Sequence, residues 1–158
     1  MRKTFANRLA AIGALDPKLH LITGDVGGAM FDDFRTACPG RHVEYGIAEQ
    51  SMVGFAAGMA MAGLHPVVYT ITPFLIERAF EQVKLDIDAQ NVPVWLVGYS
   101  GYPTYGVSHN ELDAVYLMRL FNNVQSEFPE TLEQLDDALA NRMDFQKPWF
   151  LHLHKVVA

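Results

Sequence analysis

The segment His42-Val-Glu-Tyr-Gly-Ile-Ala-Glu-Gln-Ser-Met-Val-Gly-Phe-Ala-Ala-Gly-Met-Ala-Met-Ala-Gly-Leu-His-Pro-Val-Val-Tyr-Thr-Ile-Thr-Pro-Phe74 decides the fold. HVEY reads as a short strand, residues 47–62 as a helix of small and apolar residues, and PVVYTI (66–71) as a β-branched strand. Strand, helix, strand in this order is a parallel crossover. One carboxylate, Glu49, interrupts the small and apolar run. Burying an acid is costly, so its purpose is the question the segment raises.

The same alternation extends both ways. Phe5, Leu9, Ile12 and Leu15 recur at helical spacing, with Thr4 as candidate cap. LHLITG (19–24) reads as a buried strand, GDVGG as a loop, and Met30 to Ala37 as a brief amphipathic segment stopped by Pro39-Gly40. Beyond Pro73, the pattern predicts a helix from Phe74 to about Gln90, a strand at VPVWLVG (92–98) and a Gly/Tyr/Pro loop at 101–110. A helix over roughly 111–120, the segment NVQSEF, a helix at TLEQLDDALANRM and a terminal strand WFLHLH follow.

Most of these strands are apolar on both faces. The expected fold is therefore α/β, a three-layer α/β/α arrangement around a mostly parallel sheet. With 158 residues and no repeat or linker, one domain spanning 1–158 is expected. Ligands of such sheets collect beyond the carboxyl ends of the strands. GDVGG, the approach to Glu49, ITPF and GYPTYGVSH all follow strands and could share one edge.

Half the residues are hydrophobic and 19% are charged, which argues against disorder. A net charge of −6 gives no electrostatic reason to expect nucleic acid or an anionic membrane. Cys38 is the only cysteine, so neither an intramolecular disulfide nor a zinc cluster can be drawn. The amino terminus reads as an amphipathic helix rather than a signal peptide, and no apolar run is long enough for a membrane span. A cytoplasmic protein of a reducing compartment is expected.

Gly54 and Gly58 lie four apart on one helix face, with Ala57 and Met61 placed on the same side. Each costs a helix roughly 0.8–1.0 kcal/mol relative to Ala. Close approach of another backbone would offset that, inside the domain or at a subunit interface. Glu49 in the first turn could simply complement the helix dipole.

The pattern P-x-R-x-x-x-x-G-I-A-E-Q (Pro39, Arg41, Gly46 to Gln50), followed by MVGFAAGMAMAGLHPVV, a Phe, RAFEQ and a His-bearing loop, resembles the pyrimidine-binding domain of transketolases and 1-deoxyxylulose-5-phosphate synthases. The resemblance runs from GDVGG to at least Glu130 and implies thiamine diphosphate chemistry. In that family the acid corresponding to Glu49 bonds a ring nitrogen of the aminopyrimidine and favours the tautomer that deprotonates the thiazolium carbon. Such a relay needs an acid held out of water, and an apolar surround would supply that condition. The resemblance further implies that Phe74 stacks on the pyrimidine, that Ile71 stands where a second aromatic is common, and that His109 faces substrate oxygens. Asp25 matches an acid between the two cofactor half-sites, although a turn residue or helix cap would read the same way. Tyr105 replaces the Asp of the commoner G-x-D-G-P-T-H loop, which departs from sugar-phosphate transketolases. His152 and His154 alternate along a strand without a metal-site pattern and read, with His65, as structural or surface residues.

Gly24-Asp25-Val26 lacks the G-D-G…N pattern of the diphosphate-binding half-site. The resemblance therefore implies one subunit of a split enzyme. Its partner would hold the diphosphate and Mg2+, within an α2β2 assembly acting on a keto donor and an aldehyde acceptor. A split 2-oxo-acid decarboxylase, a 2-oxo-acid dehydrogenase β-type subunit and a non-catalytic regulatory subunit are the alternatives. Tyr99, Tyr102 and Tyr105 are candidates for shaping an acceptor channel.

Overall fold

The computed structural model describes residues 1–101 and 105–154; Tyr102 lies outside them. Among the described residues, six parallel strands form one sheet in the order β2-β1-β3-β4-β6-β5. They are β1 (Leu19–Thr23), β2 (His42–Glu44), β3 (His65–Ile71), β4 (Trp95–Tyr99), β5 (Gln125–Glu127) and β6 (Trp149–Leu153). The three-layer α/β/α architecture expected from two-sided apolar strands is what forms.

Register explains why both faces must be apolar. Ile22, Val68, Leu96 and Phe150 stand in one row across four strands, and all four belong to the core on one face. The neighbouring row, Leu21, Val67, Trp95 and Trp149, belongs to the core on the other. Successive side chains of a strand point oppositely, so covering both rows requires a helical layer on each side. α1 (Arg2–Leu15), α2 (Asp32–Ala37) and α6 (Leu132–Ala140) cover one face through Phe5, Leu9, Phe34 and Leu135. α3 (Glu49–Met61), α5 (Ala114–Met118) and an irregular helix cover the other. That irregular helix is π-wound over Pro73–Arg78, α-helical over Phe80–Gln82 (α4) and π-wound again over Val83–Asp88.

This arrangement opens a crevice. The chain leaving β1 turns to the α1/α2 face, where Phe31 and Phe34 are buried. The chain leaving the adjacent β3 turns to the opposite face, where Leu75 and Ile76 are buried. Neighbouring strands whose exits diverge leave a gap beyond their carboxyl ends. Gly98 in β4 permits the turn after β3, because a Cβ there would meet Thr72 Oγ1 at 2.6 Å.

The opposite sheet end is filled by aromatics. His65, Phe145 and Trp95 stack in a column with ring centroids 4.4 and 4.2 Å apart, and Trp149 meets Trp95 edge-on at 4.9 Å. His65 also bonds Asp16 at 2.6 Å, a structural role.

Several local expectations are corrected. Met1, not Thr4, precedes α1, and Leu15 is exposed because the apolar stripe runs past the helix's contact with the sheet. α5 spans only Ala114–Met118, since Asp113 caps it by accepting from Tyr116 N. On α3, Ala57 faces the core while Gly58 opens onto space, with nothing within 4 Å of the point a Cβ would occupy. Packing inside the domain therefore does not account for Gly58. Its side of the helix carries exposed Phe55 and Met61.

No helix among the described residues is long and apolar enough to cross a membrane. α1 has no basic residue in its last turn. Arg41 supplies the charge from outside, donating to the carbonyls of Gly13, Asp16 and Leu19 at 2.7, 2.6 and 3.2 Å. Hydrogen bonds to a charged group are each worth about 1.5–3 kcal/mol, so Arg41→Ala is expected to lower stability by roughly 2 kcal/mol in urea unfolding.

Candidate functional site

A cavity of about 500 Å³ occupies the crevice beyond β1 and β3. Asp25, Glu49, Ile71, Phe74 and His109, drawn from four separate loops or helix starts, all line it. The sequence-predicted site residues are therefore brought together. Tyr105 lines the same cavity, whereas Tyr99 belongs to an adjoining one beside Ser100 and Asn110.

Each side chain is placed by its local structure. Glu49 is the first residue of α3 and only 3% exposed. Gly24 makes room beside it: a Cβ at residue 24 would lie 3.3 Å from Thr70 Oγ1 and 3.8 Å from Glu49 Oε1. Gly27 turns with φ +100°, which favours glycine, and directs the chain into the short helical turn Gly28–Phe31. Asp25 is not a helix cap, because the residue preceding that turn is Gly27 and no side chain caps it. It sits exposed at the cavity mouth.

Phe74 stands near the start of the π-wound segment and is partly buried against the core. π-winding is rare and concentrates at functional sites. His109 ends the short turn Val107–His109 and meets Phe74 edge-on, with centroids 5.1 Å apart at 66°. Ser108 Oγ lies 3.2 Å from His109 Nδ1.

The surround of Glu49 is where expectation and structure part. The small neighbours in α3 predict an apolar environment. Instead, Arg78 Nη1 donates to Glu49 Oε2 at 2.8 Å. The guanidinium also lies over the Phe74 ring, with Cζ 3.7 Å from its centroid. A buried carboxylate requires such a partner. Arg78 stands four residues after Phe74, and that one-face spacing is the sequence signal for its place in the site. Its reach to Glu49, 29 positions earlier, has no sequence counterpart.

A second polar cluster anchors the loop carrying His109. Glu111 is bonded by Ser100 Oγ, whose hydroxyl lies 2.6 Å from His152 Nε2 and 3.2 Å from Thr72 Oγ1. Leu112 N donates to Glu77 at 2.7 Å. The loop is thereby tied to the ends of β3, β4 and β6. Partial burial pushes the Glu111 carboxyl up, but hydrogen bonds from His152, Ser100 and Thr72 outweigh it and hold the group below its ordinary value.

Known proteins share both the fold and the residues of this crevice. Residues 1–157 match the family described as transketolase, pyrimidine binding domain. One of the two subunits of an apulose-4-phosphate transketolase from Actinobacillus succinogenes is 37% identical over 118 residues, covering 73% of this chain and 38% of that protein. The 1-deoxy-D-xylulose-5-phosphate synthase of Corynebacterium glutamicum is 36% identical over 140 residues, covering 85% and 22%. Among solved structures, a split-gene transketolase described as an inactive beta4 tetramer superposes with a TM-score of 0.87 at 27% identity, covering 98% of this chain and 51% of that one. The chain thus spans about half or less of the length of these relatives.

The depressed Glu111 carboxyl gives a pH dependence of known sign. A group with a lowered folded pKa contributes stability that is complete above the ordinary carboxylate range and lost as pH falls through the lowered value. Amide exchange at residues 107–113 is expected to accelerate as pH drops below roughly 4, ahead of the strand amides, and to lose this acid step in Glu111→Gln.

Proposed function

Because this chain belongs to the transketolase pyrimidine-binding domain family, we propose that it is the pyrimidine-binding subunit of a heteromeric thiamine diphosphate-dependent transketolase-like enzyme. The enzyme transfers a two-carbon ketol or acyl unit from a keto donor to an aldehyde acceptor. The observation that carries this reading is the flat slot between Glu49 and Phe74. A planar guanidinium fills it, bonded edgewise to the carboxylate and stacked on the ring at 3.7 Å. A slot of that width, with an acid at its edge and an aromatic floor, fits an aminopyrimidine.

When bound, thiamine diphosphate supplies a carbon nucleophile for the donor carbonyl and an electron sink for the bond broken beside it. The chain's own residues hold and orient. Glu49, shielded from water, bonds the ring nitrogen and fixes the ring's tautomer. Phe74 supports the ring face, worth about 0.5–1.5 kcal/mol beyond area burial, and Ile71 adds an aliphatic wall. His109, held by the anchored loop, faces substrate oxygens. Asp25 stands at the mouth between this half-site and its complement.

The diphosphate and its Mg2+ belong to a second subunit, in an α2β2 assembly. One relative is named as a subunit and another comes from a split gene, and both support this division. So do the exposed apolar residues Ile47, Phe55, Met61 and Leu85, for which a partner would provide cover. The single cysteine and acidic composition suit the cytoplasm.

The test is turnover in enzyme co-purified with its native partner, using thiamine diphosphate, Mg2+ and a panel of keto donors. Glu49→Ala is expected to lower turnover by roughly 10²–10⁴-fold while the chain still folds cooperatively. Full activity in that variant, or in the isolated chain, would overturn the proposal. Carbon dioxide as the sole product would replace transfer with decarboxylation.

A further inference from the structure

Resting on the cofactor reading above, one side chain has a role that reading does not assign. Both contacts that define the pyrimidine slot are already made, and both by Arg78. Its guanidinium takes the Glu49 Oε2 edge at 2.8 Å and the Phe74 face at 3.7 Å. A guanidinium and an aminopyrimidine share a flat conjugated N–C–N frame, hydrogen-bonding edges and a face suited to stacking. Two such groups cannot occupy one slot.

We propose that Arg78 is a built-in stand-in for the aminopyrimidine, filling the half-site in the cofactor-free chain and swinging outward when the ring enters. The asymmetry of burial says which partner moves. The Arg78 side chain is 37% exposed, whereas that of Glu49 is 3% exposed. The arginine can return its charge to water along a flexible stem, while the carboxylate is fixed at the start of α3.

The stand-in has two physical consequences. While the ring is absent, Glu49 is not left as an uncompensated buried charge, and the slot is held open at the thickness of a conjugated plane. In exchange, the cofactor must displace a pair already formed, so the apparent affinity falls by the fraction of molecules whose slot is free. Arg78 is therefore a gating residue, acting on loading rather than on the reacting atoms.

The test uses the full chain and the ring half of thiamine alone, 4-amino-5-hydroxymethyl-2-methylpyrimidine, so that no diphosphate site is needed. In NMR titrations of the wild type, the Arg78 Nε–H signal is expected to move to the position of a solvent-exposed arginine as the ring binds. Arg78→Ala should bind the ring more tightly, by roughly 3- to 10-fold, with Phe74→Ala as the variant that loses binding. Equal or weaker binding by Arg78→Ala, or an Arg78 signal that stays put while Phe74 and His109 signals shift, would overturn the stand-in and leave the cofactor reading intact. If Arg78→Ala fails to fold, the wild-type Arg78 signal decides alone. Absence of any shift at Phe74 or His109 in every folded variant would remove the cofactor reading, and the stand-in with it.

Discussion

Two adjacent parallel strands send their chains to opposite faces of the sheet, and the site depends on that divergence. β1 and β3 are hydrogen-bonded neighbours from Leu19 opposite His65 to Thr23 opposite Tyr69. Past that point the backbones separate, one toward Phe31 and the other toward Leu75. No side chain needs to be sacrificed to make the hollow. It follows from covering a sheet on both sides with a chain whose crossovers have one hand. Glu49 then enters at the start of α3, buried where the crevice meets the helix.

Placing an acid there imposes its own condition. At 3% exposure a carboxylate needs a compensating cation or donor, and within this chain the compensation comes from Arg78. The ion pair joins α3 to the π-wound segment across the crevice, so it couples the two elements that carry Glu49 and Phe74. The loop bearing His109 is set independently, through Glu111 and Leu112, against the ends of three strands. A rigid floor and a separately anchored roof are what a site needs when its geometry must survive the arrival of a ligand.

How much of this is legible in the residues depends on the range of the interaction. LHLIT, PVVYTI, WLVG and WFLHL stand out because burial on both faces leaves an unbroken apolar run. Family likeness, carried by Gly46 to Gln50 and RAFEQ, points to the residues that gather around the cavity. Less is legible where a neighbour outside the local window decides. The glycines of α3 show their spacing but not their outlook, which depends on Asp86 approaching Gly54 and on nothing approaching Gly58. The short α5 turns on a single cap at Asp113. The partner of Glu49 is illegible because it is set by the pitch of a π-helix, which has no simple periodic signature.

The aromatic column at the far end of the sheet also has a practical meaning. Trp95 and Trp149 begin β4 and β6, and both are wholly buried, about five residues of strand away from the cavity end. Five residues of strand correspond to roughly 17 Å. Indole emission from this chain is therefore a gauge of whether the sheet is intact and a poor witness to events in the crevice. Loss of tryptophan signal and loss of ligand uptake can be followed in one cuvette as separate quantities, so a damaged site can be told from a collapsed fold without labelling either.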